Sequence, residues 1–134
     1  MILDGIRVSR ETLGTAEVVI DGLGSLDLYN EAKMNSYSLS PAERTFQLVF
    51  QLWNTDQPID SFVELEFLGV RNMRVSQGGP VQDFQLSDFI QFAFGQRCVD
   101  NERNVRVMMD HAEYFFDADA LAARVRKSTD QVKT

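Results

Sequence analysis

The chain has little of what most protein chemistry is built from. Its 134 residues include one cysteine, Cys98, one histidine, His111, and one tryptophan, Trp53. A lone cysteine excludes an intrachain disulfide, and secreted domains more often carry an even set. No window approaches ~18 consecutive apolar residues, so no membrane-spanning helix is expected. The stretch after Met1, "ILDGIRVSRE", brings charges early and has no apolar run. It does not read as a signal peptide, and a cytoplasmic location is the expectation. The glycine-bearing stretches "GLGSL" (22–26) and "QGGP" (77–80) lack the lysine and following helix of a phosphate loop and read as turns. There is no internal repeat, no Pro-rich or Ser-rich linker and no block of like charge.

What is present is apolar and aromatic. Hydrophobic residues make up 44% of the chain and ten residues are phenylalanine, a globular rather than a disordered composition. A chain of this size forms one domain that buries roughly two thirds of its unfolded surface. A core can therefore form without disulfides or a structural metal. The domain is expected over residues 1–126, with the polar end "KSTDQVKT" (127–134) as a flexible tail. Thirteen basic and twenty acidic residues give 13 − 20 = −7. That charge opposes nucleic-acid binding and suits either simple solubility or a basic protein partner.

Four stretches alternate with period two. In "TFQLVFQLW" (45–53), Phe46, Leu48, Phe50 and Leu52 share one face, and Val49 and Trp53 fall on the polar one. In "FVELEF" (62–67), Val63, Leu65 and Phe67 point inward, while Glu64 and Glu66 are expected to face water. "DFQLSDFIQFAF" (83–94) places Phe84, Leu86, Ile90, Phe92 and Phe94 in one parity. "NVRVMMD" (104–110) opposes Val105, Val107 and Met109 to Asn104, Arg106 and Met108. The connectors "SPAER" (40–44), "NTDQPID" (54–60), "QGGP" and "GQRCVDNER" (95–103) are turn-like or polar and too short for crossover helices. The sheet should be largely antiparallel.

Three places are less regular. At Gly69 the alternation changes phase, which predicts a bulge or corner in one bent strand in preference to a tight hairpin over Leu68–Asn72. "YNEAKMNSYSL" (29–39) has helical propensity at its start and strand character from Tyr37. "DADALAARVRK" (117–127) supports two readings. One is a short helix capped by Asp117 or Asp119; the other is a final strand that completes the sheet.

The residues able to carry chemistry do not form a constellation. His111 lies near Asp110, Glu113, Asp117 and Asp119, but Asp110–Glu113 reads as a turn, and catalytic zinc sites usually use more than one histidine. Asp117 and Asp119 lack the glycine and closing glutamate of a calcium loop. Glu64 and Glu66 sit roughly 6.5–7 Å apart along a strand, a separation open to an inverting glycosidase, yet alternate glutamates are ordinary on the wet side of a sheet. Cys98, beside Arg97, lacks a visible orienting partner. No catalytic residue, metal or cofactor is expected. The phenylalanines Phe84, Phe89, Phe92, Phe94, Phe115 and Phe116 suit either core packing or an aromatic-lined cavity. Trp53, Val49, Phe62 and Phe89 occupy polar faces, where a cluster would make an exposed apolar patch.

The stretches "YNEAKMNSYSL", "RTFQLVFQLW", "VELEFLGVRNMRV" and "FIQFAFG", and within them "NEA" and "FLGVR", resemble in order and pattern a family of small β-rich bacterial proteins. Some of its members are immunity proteins of polymorphic toxin systems. The resemblance spans roughly residues 26–126. It implies a single β-rich domain and no catalytic residues.

The expected fold is mainly β: a single-domain antiparallel β-sandwich or strongly curved sheet, with a short helix near the C-terminus as the open alternative. The expected function is noncatalytic protein binding. The resemblance implies an immunity protein that neutralises a bacterial toxin by occlusion. The partner would be a basic toxin domain, held by Trp53, Phe62 and Phe89 with Glu64 and Glu66. The alternative is a small-molecule or lipid binder with an aromatic-lined cavity between sheets.

Overall fold

Alternation of this kind should zip into sheets, and a computed structural model of the chain shows how. It describes residues 1–8, 16–53, 61–77, 89–94, 103–110 and 112–127. These contain twelve strands and no helix: β1 (Ile2–Asp4), β2 (Ile6–Val8), β3 (Glu17–Ile20), β4 (Gly24–Asp27), β5 (Ala32–Ser40), β6 (Thr45–Leu52), β7 (Ser61–Leu68), β8 (Arg71–Gln77), β9 (Phe89–Phe94), β10 (Val105–Met109), β11 (Ala112–Asp117) and β12 (Ala120–Lys127). They form a five-stranded sheet of order β1-β12-β7-β6-β5, a four-stranded sheet β8-β11-β10-β9 and a three-stranded sheet β2-β3-β4. Each described pairing is antiparallel except β1 with β12. No described helix is long and apolar enough to cross a membrane.

The helix option for 117–127 fails, and the reason is pairing. Ala120–Lys127 fills the slot between β1 and β7, in register with both. A helix there would strip β7 of one of its two ladders, so tertiary context overrides local propensity. Asp117 and Asp119 cap no helix. Residues 29–34 are settled as a turn followed by strand, and β5 carries a register shift between Met34 and Ser36 that leaves Asn35 unpaired with β6.

The corner expected at Gly69 is present, but it separates two strands instead of bending one. β7 and β8 belong to different sheets and do not pair with each other. Gly69 turns the chain from one sheet to the next at φ +69°, and a Cβ there would run into the Asp119 carboxylate. β11 and β12 turn the same corner beside it, so the ladder β7/β12 continues as β8/β11. Polar groups stitch the corner. Asp119 N donates to Leu68 O at 2.8 Å and Val70 N to Arg44 O at 2.8 Å. Arg71 Nη1 reaches Gly69 O at 2.8 Å and Asp119 Oδ1 at 2.9 Å. Asn104 brackets Ala118, accepting from its N–H at 3.0 Å and donating to its carbonyl at 3.1 Å.

One buried cluster joins all three sheets. It contains Phe46, Leu48, Phe50 and Leu52 of β6, Val63, Leu65 and Phe67 of β7, and Leu121 of β12. Val105, Val107, Met109 and Phe116 come from the second sheet, and Ile6, Val18, Ile20 and Leu26 from the third. At its centre the Phe46, Phe67 and Phe116 rings meet at centroid separations of 5.7 Å (Phe46–Phe116), 5.0 Å (Phe67–Phe116) and 6.5 Å (Phe46–Phe67). Such offset and edge-on contacts each add about 0.5–1.5 kcal/mol to the burial itself.

Candidate functional site

The outer face of the five-stranded sheet, opposite that core, carries four of the five residues singled out as partner-binding. Strand register sets them in rows. Lys33, Gln51, Phe62 and Arg126 are aligned across β5, β6, β7 and β12. The next row is Ser36, Val49, Glu64 and Arg124; the third is Ser38, Gln47, Glu66 and Ala122. Trp53 lies just past β6, in the same parity as Gln51. Phe89 is not among them. It opens β9 at the edge of the four-stranded sheet, paired with Met109.

The four do not share one environment. Trp53 is 53% exposed, whereas Phe62 and Val49 are each only 8% exposed. Of the exposed patch expected from Trp53, Val49, Phe62 and Phe89, Val49 and Phe62 are buried and Trp53 is exposed, and the Phe89 side chain lies outside the described ones. Glu64 corrects the expectation that it faces water. Its side chain is 9% exposed and is gripped from β12, by Arg126 Nη1 at 2.8 Å on Oε1 and Arg124 Nη2 at 3.3 Å on Oε2. Residues 124 and 126 fall on one face only because 120–127 is a strand. The Arg124 side chain is 73% exposed and that of Arg126 only 37%. Arg126 Nε is buried without a hydrogen-bond partner. Glu66 is half-buried. With both Glu64 oxygens bound to guanidinium groups, the pair Glu64/Glu66 is not set up as the acid and base of a glycosidase.

Trp53 is held from its backbone. Its N–H donates to Glu31 O at 3.1 Å, tying it to the turn that precedes β5. That turn is built around Asp27, whose carboxylate accepts from Tyr29 N at 2.9 Å and Asn30 N at 3.2 Å. Glu31 Oε1 accepts from Asp27 N at 2.9 Å in return. This is the ordinary use of Asp in a turn. Tyr29 projects from it at 57% exposure.

Other candidates separate. Asp110 is exposed after β10, but the turn expected over Asp110–Glu113 is shorter: Glu113 lies in β11, paired with Met108 and Ser76. Glu113 is paired with Arg106 at 3.0 Å. Asp117 accepts from Asn104 N at 3.1 Å, and Asp119 binds Arg71. Among the described residues no group of three His, Cys, Asp or Glu is placed to hold a metal ion. His111, Cys98 and Phe84 lie outside the described residues. Of the phenylalanine stripe, only the side chains of Phe115 and Phe116 are described, and these two do not line one space. Phe116 is in the core, whereas its neighbour Phe115 lies on the opposite face, under Arg74 at 4.3 Å and Arg106 at 5.9 Å. Tyr114 meets Phe46 at 5.2 Å and Tyr37 at 6.3 Å. Burial, then the hydrogen bond and charge of Tyr37, push its hydroxyl up to about 12, so it stays protonated in the seam.

Trp53 is thus an exposed indole whose backbone is tied to an acidic turn. No family model matches the chain, and comparison with curated proteins and with solved structures finds no significant match.

Proposed function

We propose that this protein is a noncatalytic protein-binding domain that engages a basic partner through the Trp53 end of its five-stranded sheet. An immunity protein that occludes a bacterial toxin domain in the cytoplasm is the form of this function that the sequence resemblance favours. The observation that carries the reading is Trp53 itself. It is the one tryptophan of the chain, held by a backbone bond and more than half exposed. A large amphipathic ring is the residue type that anchors interfaces. The charge of −7 steers a basic partner toward it and speeds encounter. Glu66 adds a half-buried carboxylate on the same face, while Phe62 and Glu64 serve as the packed support beneath.

The test is capture from cells of the native host with immobilised wild-type protein and a Trp53→Ala variant. A basic protein retained by the first and released by the second, whose toxicity in an indicator strain is relieved by co-expression of this chain, is the expected result. Recovery of no Trp53-dependent partner from toxin-producing cells, with folded bait, sinks the reading.

A further inference from the structure

Trp53 already holds a cation. The Lys33 ammonium lies 4.7 Å from the centroid of the indole, within the distance at which a positive charge is drawn to the negative face of the ring. Lys33 comes from the neighbouring strand, opposite Gln51. Both residues are exposed, so the contact is weak and open to competition. The turn tied to Trp53 brings up Asp27 and Glu31, and Asp27 stands in register with Glu17. The turn tied to Trp53 thus carries two acidic residues, and the chain as a whole carries a charge of −7, an electrostatic setting that suits a further cation.

We propose that the Trp53 face is a receptor for an arginine side chain of a basic partner, and that Lys33 is a built-in placeholder which that arginine displaces. The biological setting rests on the protein-binding reading above; the chemistry rests on the ring, its cation and the acidic turn tied to its backbone. Arginine has the advantage over lysine because its planar guanidinium stacks flat on an indole and gives up its hydration more easily. The negative charge of the chain then favours the incoming guanidinium, and Lys33, already exposed, loses little on release.

Because the chain has a single tryptophan, its fluorescence reports this site alone. The folded full-length chain is titrated at low ionic strength with a Gly-Arg repeat peptide and with the same peptide carrying citrulline, which keeps the shape and lacks the charge. The arginine peptide is expected to change Trp53 emission and the citrulline peptide to leave it unchanged. Lys33→Gln is expected to bind the arginine peptide about two- to fivefold tighter, the factor set by losing an exposed lysine–aromatic competitor. Lys33→Arg keeps the charge but occupies the ring better, so it should bind more weakly than wild type. An equal response to citrulline, unchanged or weaker binding by Lys33→Gln, or unchanged or tighter binding by Lys33→Arg overturns the proposal. A captured partner that needs Trp53 but is indifferent to Lys33 overturns the placeholder and leaves the protein-binding reading standing. Arginine-peptide binding with the Lys33 signature, and no captured partner, does the reverse.

Discussion

The two faces of the five-stranded sheet are both shielded from water along β7, but by different means. On the inner face Val63, Leu65 and Phe67 are fully buried against apolar side chains of the other sheets. On the outer face Phe62 and Glu64 are each 8% exposed, and the shield over Glu64 is a pair of arginines from β12. The four-stranded sheet repeats the device, with Phe115 under Arg74 and Arg106. The inner face gains from every apolar atom removed from water. The outer face must balance desolvation of a carboxylate against ion pairs whose cationic ends stay wet, which yields far less net stability. The interior therefore holds the fold together, and the outer face contributes much less to it.

Truncating the inner face should break the fold first. Phe67→Ala removes a ring that touches both Phe46 and Phe116 and should cost about 3–5 kcal/mol in chemical denaturation. A loss below ~2 kcal/mol would mean that the seam between the sheets is not the main support. Glu64→Ala tests the outer face. Removing one member of a fully buried pair costs about 3–5 kcal/mol. Here Arg124 and Arg126 are 73% and 37% exposed and recover water, so about 1–2 kcal/mol is expected. Arg126→Ala should cost more than Arg124→Ala, since Arg126 makes the shorter bond to Glu64 and is the less exposed. The Arg124 part should fade in high salt.

Much of the inner face was legible from residue order. Phe46, Leu48, Phe50 and Leu52 alternate without a break, and so do Val105, Val107 and Met109, because each such strand has one side against the core. The corner at Gly69 was also legible, since a phase change at a glycine leaves few other solutions. The outer face was not. Glu64 looks like any glutamate between apolar neighbours, and its burial depends on which strand lies beside β7. That strand is Ala120–Lys127, whose alanines and arginines favour a helix taken alone. Read as a strand, Arg124 and Arg126 fall two apart and face the Glu64 row; read as a helix, they do not. The site residues divide in the same way. Trp53 stood out as a large ring on a polar face at a strand end. Phe62 had the same signal but is packed away, and pairing partners distant in sequence decide between the two.

High pH offers a milder probe of the inner seam. Tyr114 titrates near 10 when unfolded but is pushed up to about 12 in the fold. The folded state keeps its proton longer, so its contribution to stability is whole below pH 10 and is lost as pH rises from there through 12. Tyr114→Phe should cost about 0.5–1.5 kcal/mol at neutral pH through the lost Tyr37 hydrogen bond. It should also flatten the fall in stability between pH 10 and 12. An unchanged alkaline slope in the variant would show that the hydroxyl is not shielded in the seam.

The smallest expected change in stability belongs to the residue with the largest expected role in binding. Trp53→Ala removes a ring that is more than half exposed and touches Lys33 at the surface, so it should shift unfolding by no more than about 0.5 kcal/mol. The backbone bond to Glu31 O survives the change. If the indole were instead packing for the end of β6, the variant would unfold early and bind poorly for that reason alone. Thermal melts of Trp53→Ala and wild type side by side separate the two cases. Coincident melts assign any loss of partner binding to the missing ring, and a shift of several degrees moves Trp53 from the recognition surface to the fold, because a domain of this size moves by roughly 3–6 °C per kcal/mol.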